Sequence, residues 1–274
     1  MTQDERRLPL PVRSDFLQIQ DEYLQEVNRE RGCTDVRDLE SVKEIVPQAY
    51  RDFCVAKTRG SSPTMTQVAS TTMTQVASPS TTKDVIPVLD TGISKKLYLW
   101  QGDITTLKVD AIVNAASSQL LGCFAPLHAC IDNCIHTFAG IQLRLACNEL
   151  MQKQGHEEGT GLCKITPAYN LPSRFVLHTV GPIITTVVSA REKIQLASCY
   201  KNCLETASSN QLESVAFCCI STGVFRFPAE LAAQIAVETV EKWLSGNPSS
   251  SVKKVVFNIF GNKDLEIYKK VFGL

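Results

Sequence analysis

Nothing in the 274-residue sequence approaches the ~20 consecutive apolar residues of a membrane-spanning helix, although 44% of the chain is hydrophobic. A surplus of charge is missing too. Basic and acidic side chains number 28 each, so there is no general electrostatic drive toward nucleic acid or an anionic membrane. The opening residues, MTQDERRLPLPVRSDF, lack the apolar core of a secretory leader. No Asn-x-Ser/Thr site has a permitted middle residue, since Asn247 is followed by Pro248. The expectation from these absences is a cytoplasmic protein.

What the chain has in number is cysteine, eleven residues in all. An odd count would leave one thiol unpaired in a secreted protein, whereas in a reducing compartment thiols act as core filler or metal ligands. Cys218 and Cys219 lie in the buried-strand pattern SVAFCCIS, and Cys199 and Cys203 have helical i, i+4 spacing. All four read as filler.

The chain divides into three parts. Residues 1–60 form a helical N-terminal segment. In DFLQIQDEYLQEVNRE, apolar residues recur with helical period, Gly32 ends the helix, and a second helix is expected within 35–58. Residues 61–83 are rich in Ser and Thr and carry TMTQVAS twice, at 64–70 and 72–78. Such a composition buries too little apolar area to offset chain entropy, so a flexible linker is expected. Residues 84–274 change character. Short apolar runs at 96–100, 109–116, 161–166, 174–180, 214–221 and 252–260 alternate with helical patterns at 131–154, 191–209, 229–246 and 263–271. This predicts a three-layer α/β/α domain with helices on both faces of a mixed, mostly parallel sheet. Ligands of such sheets bind beyond the carboxyl ends of the strands.

Three loops fall there. QGDITTL presents Asp103, whose simplest role is to cap a short helix. VNAASSQLLGCFAPLHACIDN begins with Asn114, whose amide suits a sugar hydroxyl because it donates and accepts at once. It then supplies Cys123, His128 and Cys130 before Asp132. Two thiols and an imidazole match no four-ligand structural finger, but they match a zinc site that keeps an exchangeable position. Cys134 and His136 are nearby candidates for a fourth ligand. CCISTGVFRFPAE places Ser221, Thr222 and Gly223 between a strand and a helix, where backbone amides can turn toward a phosphate. A fourth motif, PVLDTG at 87–92, looks like an aspartic-protease signature, but no second Asp-Ser/Thr-Gly supplies the partner carboxylate. Asp90 and Gly92 read as a turn.

Taken in order, GDITTLKVDAIVNAA, ITPAYNLP, VLHTVGP, the Cys199-Tyr200 pair and ISTGVF resemble the blocks of the macrodomain family of ADP-ribose-binding modules. The resemblance covers about residues 96–272. Where that family carries a glycine-rich loop, this chain reads LLGCFAPLHACIDNCIH, which is similar to a zinc-containing microbial branch that hydrolyses protein-linked mono-ADP-ribose. That branch has a helical N-terminal segment and is associated with sirtuin-like ADP-ribosyltransferases.

The resemblance implies a role for each loop. Asp103, with Ile104 beside it, would meet the adenine. Asn114 and Ser117 would hold the distal ribose, and Ser221, Thr222, Gly223, Val224 and Phe225 would form a phosphate loop. Cys123, His128 and Cys130 would bind Zn2+. Asp132, with Asn114, would be catalytic. The implied partner is ADP-ribose or a mono-ADP-ribosylated protein, with no nucleic acid or membrane, on a monomer. Two departures stand out. Ser117 replaces a family asparagine, and Arg226 replaces a glycine after the phosphate-loop phenylalanine. The leading expectation is a zinc-dependent ADP-ribosyl glycohydrolase. The alternatives are a reader that binds ADP-ribose without cutting it, and a scaffold whose zinc is only structural.

Overall fold

The computed structural model describes residues 16–45, 95–125 and 128–274. The Ser/Thr-rich stretch 61–83 and the Asp90–Gly92 motif lie outside these. In chain order the described elements are α1 (Phe16–Arg31), β1 (Thr34–Asp35), a 3-10 turn (Val36–Asp38), β2 (Lys43–Ile45), β3 (Lys95–Gln101), a second 3-10 turn (Ile104–Thr106), β4 (Leu107–Lys108) and β5 (Ala111–Ala116). There follow α2 (Ile131–Ala139), α3 (Ile141–Gln154), β6 (Cys163–Pro167), β7 (Phe175–Val180), α4 (Ala190–Ser209), β8 (Ser214–Phe217), α5 (Ala229–Gly246), β9 (Lys254–Ile259) and α6 (Asn262–Phe272).

The six apolar runs all become strands. Together with β2 they form one seven-stranded sheet of order β2-β3-β9-β8-β5-β7-β6. Every pairing from β3 to β7 is parallel, and only the edge strands β2 and β6 run antiparallel. The runs are continuous rather than alternating because both faces of the sheet are covered. On one face Phe217 joins Tyr200 of α4 at 4.9 Å and Phe257 at 6.5 Å, and Phe257 meets Tyr268 of α6 at 5.6 Å. Alternation then turns Asn114 and its register partner His178 to the opposite face, toward α2 and α3.

Asp110 ties the strands at their entry end. Its carboxylate accepts from the amides of Glu213 (2.8 Å) and Ser214 (3.0 Å) and from Arg174 Nη1 (2.9 Å), linking the starts of β5, β8 and β7. Burial works to raise its pKa, but these donors outweigh it and hold the group below the usual carboxylate range. The exit ends of the same strands carry the loops after β3, β5, β7 and β8. Because β7 and β8 flank β5 on either side, the chain reverses its direction of travel across the sheet there, at a topological switch point.

Two expectations need correction. The helical pattern at 131–154 is two helices, not one. Gly140 sits between them at φ 94°, ψ 173°, a conformation that side chains disfavour. A Cβ there would stand 2.8 Å from Gln142 Oε1 and 3.1 Å from both Asn170 Nδ2 and Leu24 Cδ1. Residues 34–45 hold no second helix either. They form β1, which pairs with β4, a 3-10 turn capped by Asp35, and β2, which extends the sheet beside β3. Lateral strand pairing overrides the local helical preference. The remainder of the expected helix, 46–58, lies outside the described residues. Gly32 does end α1, at φ 76°.

Gly140→Ala is expected to destabilise the protein by about 1–3 kcal/mol, read as a lower midpoint in thermal denaturation. An unchanged midpoint would mean that the α2–α3 junction relaxes freely.

Candidate active site

Asn114 lies near the end of β5 and is fully buried. Its Nδ2 donates to Asp132 Oδ1 at 2.8 Å and stands 3.2 Å from His178 Nδ1. Both amide hydrogens are therefore committed. Its Oδ1 is buried with no protein partner, which leaves an acceptor for a hydroxyl. The sequence suggested that this amide donates and accepts together; the fold reserves the acceptor alone for a ligand.

His178 explains why the amide cannot flip. Its Nδ1 accepts from Asn114, so the ring proton sits on Nε2, which donates to Thr166 Oγ1 at 2.9 Å. Burial pushes its pKa down to about 3, so the ring is neutral. Asp132, in the first turn of α2, is also buried. Burial raises its pKa to about 6, against the pull of the Asn114 bond and the Arg144 charge. The result is a carboxylate titrating near neutrality, a range suited to proton transfer. Cys130, not Asp132, caps α2, with its Sγ accepting from the Asn133 amide at 3.4 Å.

Cys123, His128 and Cys130 are brought together, with their ligand atoms all within 4.8 Å of one another. Cys123 Sγ lies 3.4 Å from His128 Nδ1. A tetrahedral zinc with normal bond lengths sets such sulfur and nitrogen ligands about 3.5 Å apart, so the donor set fits that ion in chemistry and spacing. His128 is exposed and both thiols are half-buried, so the cluster faces solvent. Burial pushes the Cys130 thiol up to about 11, with Cys123 and Asp132 adding to the rise. A bound divalent cation would invert that balance.

Neither candidate fourth ligand joins the group. His136 turns inward, where it, Cys147 and His178 form a second, fully buried cluster. Gly122, at φ 78°, packs against the His136 ring, which lies 2.8 Å from where a Cβ would be. His178 is already spent on Thr166 and Asn114, so this group is polar packing beneath the site.

The loop after β8 faces the same crevice. Ser221 is buried at φ 66° with its Oγ unpartnered, and Gly181 opposite leaves it room: a Cβ at Gly181 would stand 2.0 Å from that oxygen. Thr222 Oγ1 donates to the Cys219 carbonyl, and Ile184 N donates to Phe225 O at 2.9 Å. Gly223 and Val224 are exposed. The following helix, α5, has Pro228 at its N-cap and no side-chain cap, leaving its first amides for an anion. Arg226 takes φ 59° with its side chain exposed, so the arginine adopts the left-handed backbone that a glycine would use. Clusters of strained residues such as Ser221 and Arg226 are typical of functional loops.

Asp103 caps the 3-10 turn at Ile104–Thr106, its Oδ1 accepting from Thr105 N at 2.9 Å. Ile104 is buried behind it, and Ser117, half-buried, follows β5. Sequence reasoning missed two cations. Arg31 of α1 meets Asp103, and Arg144 of α3 lies over the Phe124 ring at 4.3 Å and attracts Asp132. No local pattern marks either, because each partner is far along the chain. A cavity of about 310 Å³, lined by Gln119, Leu121, Asn148, Met151 and His156 among others, contains none of the candidate residues.

The macro domain family model matches residues 113–236. The chain is 48% identical over 267 residues to a protein-ADP-ribose hydrolase of Treponema medium, covering 97% of this chain and 84% of that protein. It is 46% identical over 259 residues to a protein-ADP-ribose hydrolase of Staphylococcus aureus, covering 92% of this chain and 94% of that one. A crystal structure of a Trypanosoma brucei macrodomain in complex with ADP-ribose superposes with a TM-score of 0.63 at 25% identity, covering 98% of this chain and 95% of that one. Among the described residues, no helix is long and apolar enough to cross a membrane.

The advantage of the wild type over His178→Gln in unfolding free energy is expected to depend on pH. A folded pKa near 3 against an ordinary 6.5 makes the unfolded state bind the proton first, so stability from the neutral ring is complete above about pH 6.5 and is lost as pH falls. Between pH 7 and pH 5 the difference should shrink by about 2 kcal/mol in urea titrations. His136 and Cys147, which face the ring, are present in both proteins and largely cancel. A difference independent of pH would show that the folded ring binds its proton normally.

Proposed function

The chain belongs to the macro domain family, and from that premise we propose that it is a hydrolase that removes mono-ADP-ribose from modified proteins with the aid of zinc. The observation that carries the reading is the Asn114–Asp132 pair. Asn114 Nδ2 donates to Asp132 Oδ1 at 2.8 Å, which leaves the amide's own oxygen as a buried, unpartnered acceptor beside a carboxylate titrating near neutrality, at the switch point. The curated relatives that share 46–48% identity with this chain are named for this hydrolysis.

In this reading the adenosine half lies toward Asp103, and the diphosphate lies against the Ser221–Phe225 amides and the start of α5. Binding energy from these remote groups fixes the distal ribose over β5. Asn114 Oδ1 accepts from a ribose hydroxyl, and its orientation is already set by Asp132 and His178, so little ordering is needed on binding. Water adds to the anomeric carbon, the bond to the protein side chain breaks, and the side chain leaves with a proton. Asp132 takes the proton from the attacking water and returns it to the departing side chain, and the drop in solvent around it keeps its basicity up. Cys123, His128 and Cys130 would hold the ion. Bound there, zinc supplies a Lewis-acidic charge that polarises a nearby oxygen. Arg226 keeps the phosphate-loop backbone in its turn, which supports a working loop despite the lost glycine.

The test is release of free ADP-ribose from a mono-ADP-ribosylated protein, with elemental analysis of the purified enzyme. About one zinc per chain is expected, falling sharply in Cys123→Ser and Cys130→Ser. Asp132→Asn should cut release by about 10²-fold or more while ADP-ribose still binds. Release that ignores a chelator would remove zinc from the reaction. Wild-type protein that binds ADP-ribose without releasing it from the modified protein would instead be a reader.

A further inference from the structure

We propose that Arg31, the last residue of α1, is a positioning residue that fixes the Asp103 carboxylate so that one acceptor site remains for a purine amino group. The inference rests on the reading of the crevice as an ADP-ribose site, and it gives the N-terminal helix a part in choosing the base.

A carboxylate offers about four acceptor sites. Asp103 Oδ1 receives Thr105 N at 2.9 Å and Thr105 Oγ1 at 2.6 Å, which fills it. Oδ2 receives Arg31 Nη2 at 2.5 Å. One site on Oδ2 is left, and the Asp103 side chain is 38% exposed, so that site is open to a ligand. A single N–H donor fits it. A keto oxygen in the same place would meet a negative acceptor with no proton between them.

Arg31 is held as tightly as the carboxylate. Its Nη2 also donates to Thr105 Oγ1 at 2.6 Å, its Nη1 donates to Asn28 Oδ1 at 3.0 Å, and its guanidinium carbon lies 3.4 Å from the centre of the Phe138 ring. The helix behind it is anchored at several points. Asn28 Nδ2 donates to the carbonyls of Phe138 and Asn170, and Gln20 Oε1 accepts from Ile141 N. Arg31 therefore transmits the seating of α1 to the rotamer of Asp103. A planar fork that bonds three oxygens and stacks on a ring is a task for arginine, which lysine performs only in part.

The test compares two ligands, ADP-ribose and its hypoxanthine analogue inosine diphosphate ribose, by calorimetric titration of the full chain. The wild type should prefer the amino purine. In Arg31→Ala the affinity for ADP-ribose should fall about tenfold, while the affinity for the hypoxanthine ligand barely moves, so the preference collapses. Arg31→Lys should recover part of it. In turnover, KM should rise with kcat unchanged, because the chemistry is at the far ribose. Thermal denaturation confirms folding, and if Arg31→Ala does not fold, the preference ratio of Arg31→Lys decides. A folded variant with an unchanged ratio overturns the proposal. So does an equal loss for both ligands, which would mark a general structural effect, or tighter ADP-ribose binding, which would mean that Arg31 blocks the carboxylate. Wild-type protein that binds both ligands equally overturns it while leaving the ADP-ribose reading intact. Wild-type protein that binds neither removes both.

Discussion

The buried amide of Asn114 spends its two hydrogens on Asp132 and His178, and through them β5, α2 and β7 are held in one arrangement. Three buried polar groups are costly to desolvate, and the cost is met only because each finds a partner inside. The carboxylate can only accept and the neutral histidine presents a bare nitrogen, so the amide has one orientation. Its carbonyl oxygen is then left without a protein partner.

The same burial sets the electrostatics of the crevice. Desolvation raises Asp132 and lowers His178, in opposite directions and for one reason: the charged form of each loses water. Arg144 tempers the rise at Asp132. A carboxylate of ordinary acidity would be a weaker base, and one without Asn114 and Arg144 nearby would be raised further. Closer to solvent, Cys123, His128 and Cys130 occupy a loop that begins with left-handed residues Leu120 and Gly122, so the backbone there turns sharply before the ligands are presented.

The described residues of the N-terminal segment, 16–45, pack against the rest of the fold. α1 lies across the α2–α3 junction, β1 pairs with β4, and β2 forms one edge of the main sheet. Leu24 packs close to Gly140, the residue that separates the two helices. Seating of α1 and the break at Gly140 are thus one steric arrangement.

The sequence by itself determined the six main strands, the end of α1 at Gly32, the α/β class and the three loops that meet at the site. These depend on local periods and on turn residues, which act over a few positions. It also placed Cys123, His128 and Cys130 close together, since ligands within one short loop need little help from the rest of the chain. What only the tertiary structure decided depends on pairing between distant positions. The register that sets Asn114 beside His178 comes from β5 lying next to β7, which no local pattern encodes. The short strands at 34–35 and 43–45 exist because a sheet was there to receive them. The Arg31–Asp103 contact spans 72 positions and arises only when α1 is docked. Local free-energy preferences reach a few residues, whereas the bonds that orient the candidate catalytic groups are made across the fold.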